Sequence, residues 1–292
     1  SLAGGTPLPD SIEEIARMTV ESIDRGRIGY EDAAAALYLK AVLGGVEPMS
    51  HIRHVVVDES QDYSPVHYMA MRVLFPGASF TILGDLNQAI HPYLHMPEFG
   101  ALERIFAGLS SVTLRIVTSY RSTREIVVFT KAILGEGEPI EPIDRRGEKP
   151  LVIEAGDDET AALDIVRMVA ALKQEGHRSI AVIAKTASDA LRLHQLIGAE
   201  CRASLVTKDD RRLSRGAVVI PSYLAKGLEF DAVIIQDAGK GRYPGAGERK
   251  LLYTACTRAL HRLVIYCVGE PSPLLARVPA DLYTRTHVSA LR

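Results

Sequence analysis

Two carboxylates stand side by side at Asp58 and Glu59, directly after the apolar run Val55-Val56-Val57, with Asp62 close behind. Acidic side chains at the end of a buried strand can do hydrolytic work: one holds Mg2+ through water while its neighbour orients an attacking water. A short β-branched run reads as a buried parallel strand, and open α/β sheets bind ligands at the C-terminal ends of such strands. The same residues, His54 to Asp62, also read as a plain strand followed by an acidic turn.

The design recurs at Phe80-Thr-Ile-Leu-Gly84-Asp85-Leu86-Asn87-Gln88, an apolar run, a glycine that permits close approach, then polar side chains. Two such strands side by side would make a site. Further along, Tyr120-Arg121-Ser122 sets an aromatic and a guanidinium at a strand-to-helix junction. Arginine can clamp phosphate, and an adjacent ring can stack on a base. Ala225-Lys226-Gly227-Leu228-Glu229-Phe230-Asp231 leads into another apolar run, where Glu229 could accept a hydrogen bond from a ribose hydroxyl. Arg258, in Leu252-Tyr253-Thr-Ala-Cys-Thr257-Arg258-Ala259, could reach a γ-phosphate or serve as a cation at a helix C-terminus.

The elements that must position these residues alternate along the chain. Helices are expected from Ile12 to near Gly26, capped by Asp10, Ser11 and Glu14, and from Tyr30 to Leu43. Strands at Val55–Val57, Phe80–Leu83 and Leu114–Val117 then alternate with helices over Pro65–Leu74 and Glu98–Phe106. A helix from Ser122 to Leu134 precedes an extended loop rich in Gly and Pro, Gly135 to Pro150. The remainder alternates again, with strands near residues 151–154, 180–184, 204–206, 218–220, 232–235 and 263–266 and helices near 158–174, 187–197 and 248–260. The expected fold class is α/β, with parallel sheets flanked by helices. The expected division is a linker over 1–9, a first domain over 10–112 and a second over 113–292.

The 292 residues suffice for two ordinary domains. Lys and Arg total 34 against 36 Asp and Glu, so no global electrostatic footprint for nucleic acid exists. Cys201, Cys256 and Cys267 show no CxxC spacing and read as small core residues. No run approaches the roughly 18 apolar residues of a membrane span, and no signal pattern opens the chain, so a cytoplasmic location and no membrane partner are expected.

Asp-Glu-Ser-Gln-Asp, Gly-Asp-Leu-Asn-Gln-Ala-Ile, Ser-Tyr-Arg-Ser, Lys-Gly-Leu-Glu-Phe-Asp and Tyr-Thr-Ala-Cys-Thr-Arg-Ala stand in this order over most of the chain. In that order they resemble motifs II, III, IV, V and VI of the UvrD/Rep-type superfamily 1 helicases. The flanks Ile28-Gly-Tyr-Glu-Asp-Ala, Tyr63-Ser-Pro, Phe75-Pro-Gly-Ala-Ser-Phe80 and His91-Pro-Tyr93 resemble the HelD subgroup, helicase-IV-like ATPases that act on bacterial RNA polymerase. The resemblance implies RecA-like P-loop NTPase motor folds, a partial first RecA-like domain and a complete second one. It implies ATP and Mg2+ as cofactors, with nucleotide bound between the two domains and hydrolysis changing their relative positions. Asp58 would coordinate Mg2+, Glu59 would act as base toward water, and Gln61 would sense the nucleotide. Asp85 and Gln88 would couple γ-phosphate state to the motor, and Tyr120 would stack on adenine. Arg121 and Arg258 would be arginine fingers, Glu229 would hold the ribose, and Gly227 would let the backbone approach closely.

The family also needs a Walker A loop, Gly-x-x-x-x-Gly-Lys with Ser or Thr, and this chain contains none. The chain is therefore expected to be the C-terminal portion of a longer protein, to need an N-terminal remainder as partner, and not to hydrolyse ATP appreciably alone. Before Lys226-Gly227, where the family carries Thr-x-His toward single-stranded DNA, stand Pro221, Ser222 and Tyr223; Tyr223 could still stack on a base. A HelD-like motor would pry RNA polymerase from DNA or other nucleic acid, an ordinary UvrD-type one would unwind duplex DNA, and a degenerate motor fold would serve as a non-catalytic docking module.

Overall fold

The computed structural model describes residues 11–90, 98–135, 139–210 and 216–288 and divides into two compact units, Ser1–Val112 and Thr113–Arg292. The expected linker over 1–9, the capping Asp10, the flank His91 to Tyr93 and part of the Gly135–Pro150 loop lie outside the described residues.

In the first unit, α1 (Ile12–Asp24) and α2 (Tyr30–Val42) carry acidic residues in their first turns, Glu13 and Glu14 on one and Glu31 and Asp32 on the other, as the helix dipole favours. Ser11 makes no side-chain cap bond, and α1 buries none of its residues. β1 (His54–Val57) is followed by α3 (Pro65–Leu74), whose start is fixed by Pro65 and by a Ser64–His67 capping box. β2 (Ser79–Ile82) then pairs parallel with β1, His54 opposite Ser79 through Val57 opposite Ile82. α4 (Gly100–Ile105) completes the unit, and Val57, Tyr68 and Ala101 centre its small core.

The second unit begins differently from the sequence expectation. Residues 111–117 form no strand, and β3 is only Thr118–Ser119, paired parallel with β4 (Glu141–Pro142) after α5 (Arg124–Leu134). Leu114 and Ile116 are 85% and 87% exposed. Alternating apolar residues favour extended backbone but do not supply a partner strand.

From there βα alternation governs: β5 (Leu151–Ala155), α6 (Asp158–Gln174), β6 (Ser179–Ala184), α7 (Ala187–Cys201), β7 (Ser204–Leu205), β8 (Gly216–Pro221), β9 (Phe230–Ile235), α8 (Arg249–Cys256), β10 (Ala259–Val268) and β11 (Thr284–Val288). These strands form one seven-stranded parallel sheet in the order β11-β5-β10-β9-β6-β8-β7. Successive strand residues feed opposite faces. Val218, Ile220, Val233, Ile235, Leu263 and Ile265 enter one core, where α5 and α8 contribute Phe129 and Leu252. Val219, Ala232, Ile234, Val264 and Tyr266 enter the other, against Ile165 and Val169 of α6 and Leu193 and Ile197 of α7.

The helix expected to run to Leu260 ends at Cys256, so Arg258 sits in a turn and Ala259 already opens β10. β11 has no counterpart among the expected strands. Its residues are nearly all exposed, so no apolar run marks it. All three cysteines are free and buried, Cys256 and Cys267 in the first core and Cys201 in the second; burial pushes the Cys267 thiol up to about 12. Among the described residues, no helix is long and apolar enough to cross a membrane.

Candidate functional site

In the first unit, the parallel register of β1 and β2 brings their C-terminal ends together. The two polar turns that follow are stitched by backbone bonds from Leu83 N–H to Val57 O at 2.8 Å and from Ser60 N–H to Leu83 O at 2.9 Å. Asp58 is exposed, and its Oδ1 accepts the Glu59 N–H at 2.8 Å. Glu59 has φ 50 and ψ 41, left-handed for a residue with a side chain. Such backbone costs on the order of 1–3 kcal/mol and persists where the surroundings over-determine it.

Those surroundings are identifiable. Ser60 and Gln61 are buried behind Glu59, and the fully buried Tyr68 donates its hydroxyl to Ser60 O at 3.0 Å. Burial pushes the Tyr68 hydroxyl up to about 12, so it stays a donor through neutral pH. Gln61 Nε2 donates to Glu59 Oε2 at 2.6 Å, and Gln61 Oε1 accepts the Asp85 N–H at 3.0 Å. In the second turn Asp85 Oδ1 accepts from Asn87 N at 2.9 Å and Oδ2 from Gln88 Nε2 at 2.9 Å. Gly84 permits this closeness, because a Cβ there would stand 2.1 Å from Ser60 Oγ and 2.7 Å from Gln61 Oε1.

In the second unit, Arg121, Glu229 and Arg258 gather at the N-terminal ends of β9 and β10, two central strands of the seven-stranded sheet. Arg121 Nε lies 2.9 Å from Glu229 Oε1, with both side chains open to solvent. Tyr120, also exposed, precedes Arg121. Ser122, quoted in the sequence motif without a role, donates to Ala259 O at 2.6 Å, and Thr123 N–H donates to Leu260 O at 3.0 Å. These bonds fix the Arg121 segment to β10. Arg258 is 1% exposed; Nε donates to Thr254 O at 3.0 Å and Nη1 to Leu228 O at 3.4 Å. Its backbone O accepts the Phe230 N–H at 2.9 Å. Gly227 has φ +76, the left-handed conformation that glycine adopts without strain.

Tyr223 lies past the C-terminal end of β8, opposite the strand starts, and is 47% exposed. Beside it, Ser222 donates to Lys185 O at 2.8 Å. Sequence reasoning missed the ion network that follows. Lys185 Nζ donates to Arg242 O at 2.6 Å, meets Glu248 at 3.1 Å and stands 5.3 Å from the Tyr243 ring centroid. Buried Asp189 takes Arg192 and Arg242, each at 2.9 Å. Burial raises the Asp237 carboxyl above its usual range, although the Val268 and Gly239 amides and Arg242 pull the other way. The available signal was positional: Lys185 and Gln236-Asp237 directly follow β6 and β9, where parallel sheets display polar groups.

Two helicase families match the chain. The UvrD/REP helicase N-terminal domain matches residues 46–95, and the UvrD-like helicase C-terminal domain matches residues 216–266. Among solved structures, the C-terminal domain of a possible DNA helicase from Lactobacillus plantarum WCFS1 is 40% identical, covering 57% of this chain and 98% of that one, with a TM-score of 0.51. Dbp5 of S. cerevisiae, solved bound to RNA and ADP BeF3, is 10% identical over 88% of this chain and 64% of its own, with a TM-score of 0.51, a likeness of fold alone. No curated protein matches the chain.

Proposed function

The chain belongs to the UvrD-like helicase family, and from that premise we propose that it is the C-terminal motor portion of an ATP-dependent superfamily 1 helicase or translocase. The observation that carries this reading is the joined pair of turns after β1 and β2, with Asp58, Glu59, Gln61, Asp85 and Gln88 on adjacent strand ends. The donor set fits Mg2+. Among the described residues no group of three His, Cys, Asp or Glu side chains could hold a metal ion unaided. Mg2+ keeps waters and borrows phosphate oxygens, so one exposed carboxylate, Asp58, meets its need. Mg-ATP, when bound, supplies the transferable γ-phosphoryl group and the ion that neutralises its charge.

In this reading Glu59 orients a water and accepts its proton, and Gln88 responds to the γ-phosphate through the turn that Asp85 holds. Tyr120 serves the adenine and Glu229 the ribose. Arg121 and Arg258 serve the phosphate charge. Arg121 can exchange Glu229 for phosphate easily, because an exposed ion pair is worth only about 0–1 kcal/mol. Arg258 takes its role only when its guanidinium leaves the carbonyls of Thr254 and Leu228. Tyr223 would stack on a base of DNA or another nucleic acid.

The finer reading is HelD-like, a motor that binds bacterial RNA polymerase and releases it from nucleic acid. The near-zero net charge and the Pro221-Ser222-Tyr223 departure favour it over strand tracking. The exposure of Tyr223 favours the second reading, ordinary unwinding of DNA. The experiment uses the natural gene product that contains this chain. Turnover of ATP is expected to require Mg2+ and to fall about 100- to 10,000-fold with Glu59→Gln while nucleotide still binds. Unchanged turnover would remove Glu59 from the chemistry. Stimulation by RNA polymerase core, and not by single-stranded DNA, is expected of the HelD-like motor; the converse selects the unwinding one.

A further inference from the structure

Gln61 has both ends of its amide engaged by protein. A backbone N–H can only donate, so the Asp85 N–H at 3.0 Å must face Gln61 Oε1. The amide NH2 then has to face Glu59, where Nε2 donates to Oε2 at 2.6 Å. Gln61 is 1% exposed, and Gly84 packs so close that an added Cβ would stand 2.7 Å from Oε1. Both heavy-atom ends of this buried amide are thus committed to the two turns.

We propose that Gln61 is a positioning residue that aims the Glu59 carboxylate and ties that aim to the turn carrying Asp85 and Gln88. A glutamate side chain has three rotatable bonds, and the left-handed backbone of Glu59 fixes only where they start. The bond from Gln61 holds one oxygen of the carboxylate at their end. Because the other end of the same amide holds the Asp85 N–H, and the Asp85 carboxylate holds Gln88 Nε2, any displacement of Gln88 reaches the carboxylate through three consecutive hydrogen bonds. The base is thereby presented for chemistry only while the turn after β2 keeps this conformation. This inference rests on Glu59 being the base of the proposed hydrolysis.

The test uses the natural gene product. Gln61→Leu keeps the volume and removes both bonds; it is expected to lower kcat for ATP about 10- to 100-fold, leaving KM and the Kd of a non-hydrolysable ATP analogue within about twofold. Gln61→Glu keeps an acceptor for Asp85 but sets a carboxylate against Glu59, and the same kcat loss is expected. In a Glu59→Gln background, Gln61→Leu should slow turnover no further. A raised Kd with unchanged kcat would make Gln61 a nucleotide ligand and overturn the proposal. Should Glu59→Gln itself leave turnover unchanged, the function reading fails, and positioning is judged on this chain alone. There the Gln61 side-chain NH2 protons should exchange with solvent at least tenfold more slowly than those of exposed Gln174, and shift on Glu59→Ala. Unprotected or unshifted protons would overturn the proposal even if a variant fails to fold.

Discussion

At Gly84 a single hydrogen in place of a methyl group decides whether the two acidic turns can meet. Alanine there would press its Cβ against Ser60 Oγ, the Ser60 backbone nitrogen at 3.1 Å, and Gln61 Oε1, the end of a buried side chain already held by two hydrogen bonds. Gly84→Ala is therefore expected to destabilise the first unit by about 1–3 kcal/mol, seen as a lower urea midpoint. Gly156→Ala, with nothing within 4 Å of the new Cβ, is the control and should change little. Asp58 and Glu59 were legible in the sequence because a β-branched run ends on them. The bridge through Gln61 was not, because it joins residues 24 apart whose closeness depends on the register of two strands. Arg258 was legible as a type and misplaced as a location: its helix stops early and its guanidinium turns inward.

Elements explain what keeps the second unit's candidate site residues at the strand starts. β6 and β9 are neighbours, and Asp231 clamps their starts by accepting the N–H groups of Arg178 at 2.7 Å and Ser179 at 2.9 Å. Partial burial pushes the Asp231 carboxyl up, but the amide bonds from Ser179 and Arg178 outweigh it and hold it below the usual 3.8. A depressed folded-state pKa stabilises the fold above the unfolded value and loses that contribution as pH falls through the folded one. Asp231→Ala should accordingly lower the unfolding midpoint at neutral pH, with the difference from wild type shrinking below pH 3.8 in paired urea titrations. A pH-independent difference would assign the clamp no electrostatic part. The same parallel topology sends residues 222–229 from the end of β8 back to the start of β9, the length of a six-residue strand, about 20 Å. Tyr223 and Glu229 therefore lie at opposite strand ends of one sheet, with Gly227 the left-handed residue between them.

Across the whole molecule, the α/β alternation was readable because both faces of the large sheet are covered, which writes near-continuous apolar runs into β6, β8, β9 and β10. Edge strands escape that rule. β11 alternates threonine with charged or polar residues and gains its place by pairing with β5, which no local pattern announces. Residues 112–117 show the converse, a strand-like pattern that finds no ladder. Burial of all three thiols has a practical consequence. Maleimide reacts with accessible thiolate, so the folded chain should take up essentially no label until denatured, when all of Cys201, Cys256 and Cys267 react; rapid labelling under native conditions would contradict their burial. For fluorescence work the folded chain is thus a ready-made background, in which one cysteine placed at exposed Tyr223 or Tyr120 would carry the dye and report on either end of the strands separately.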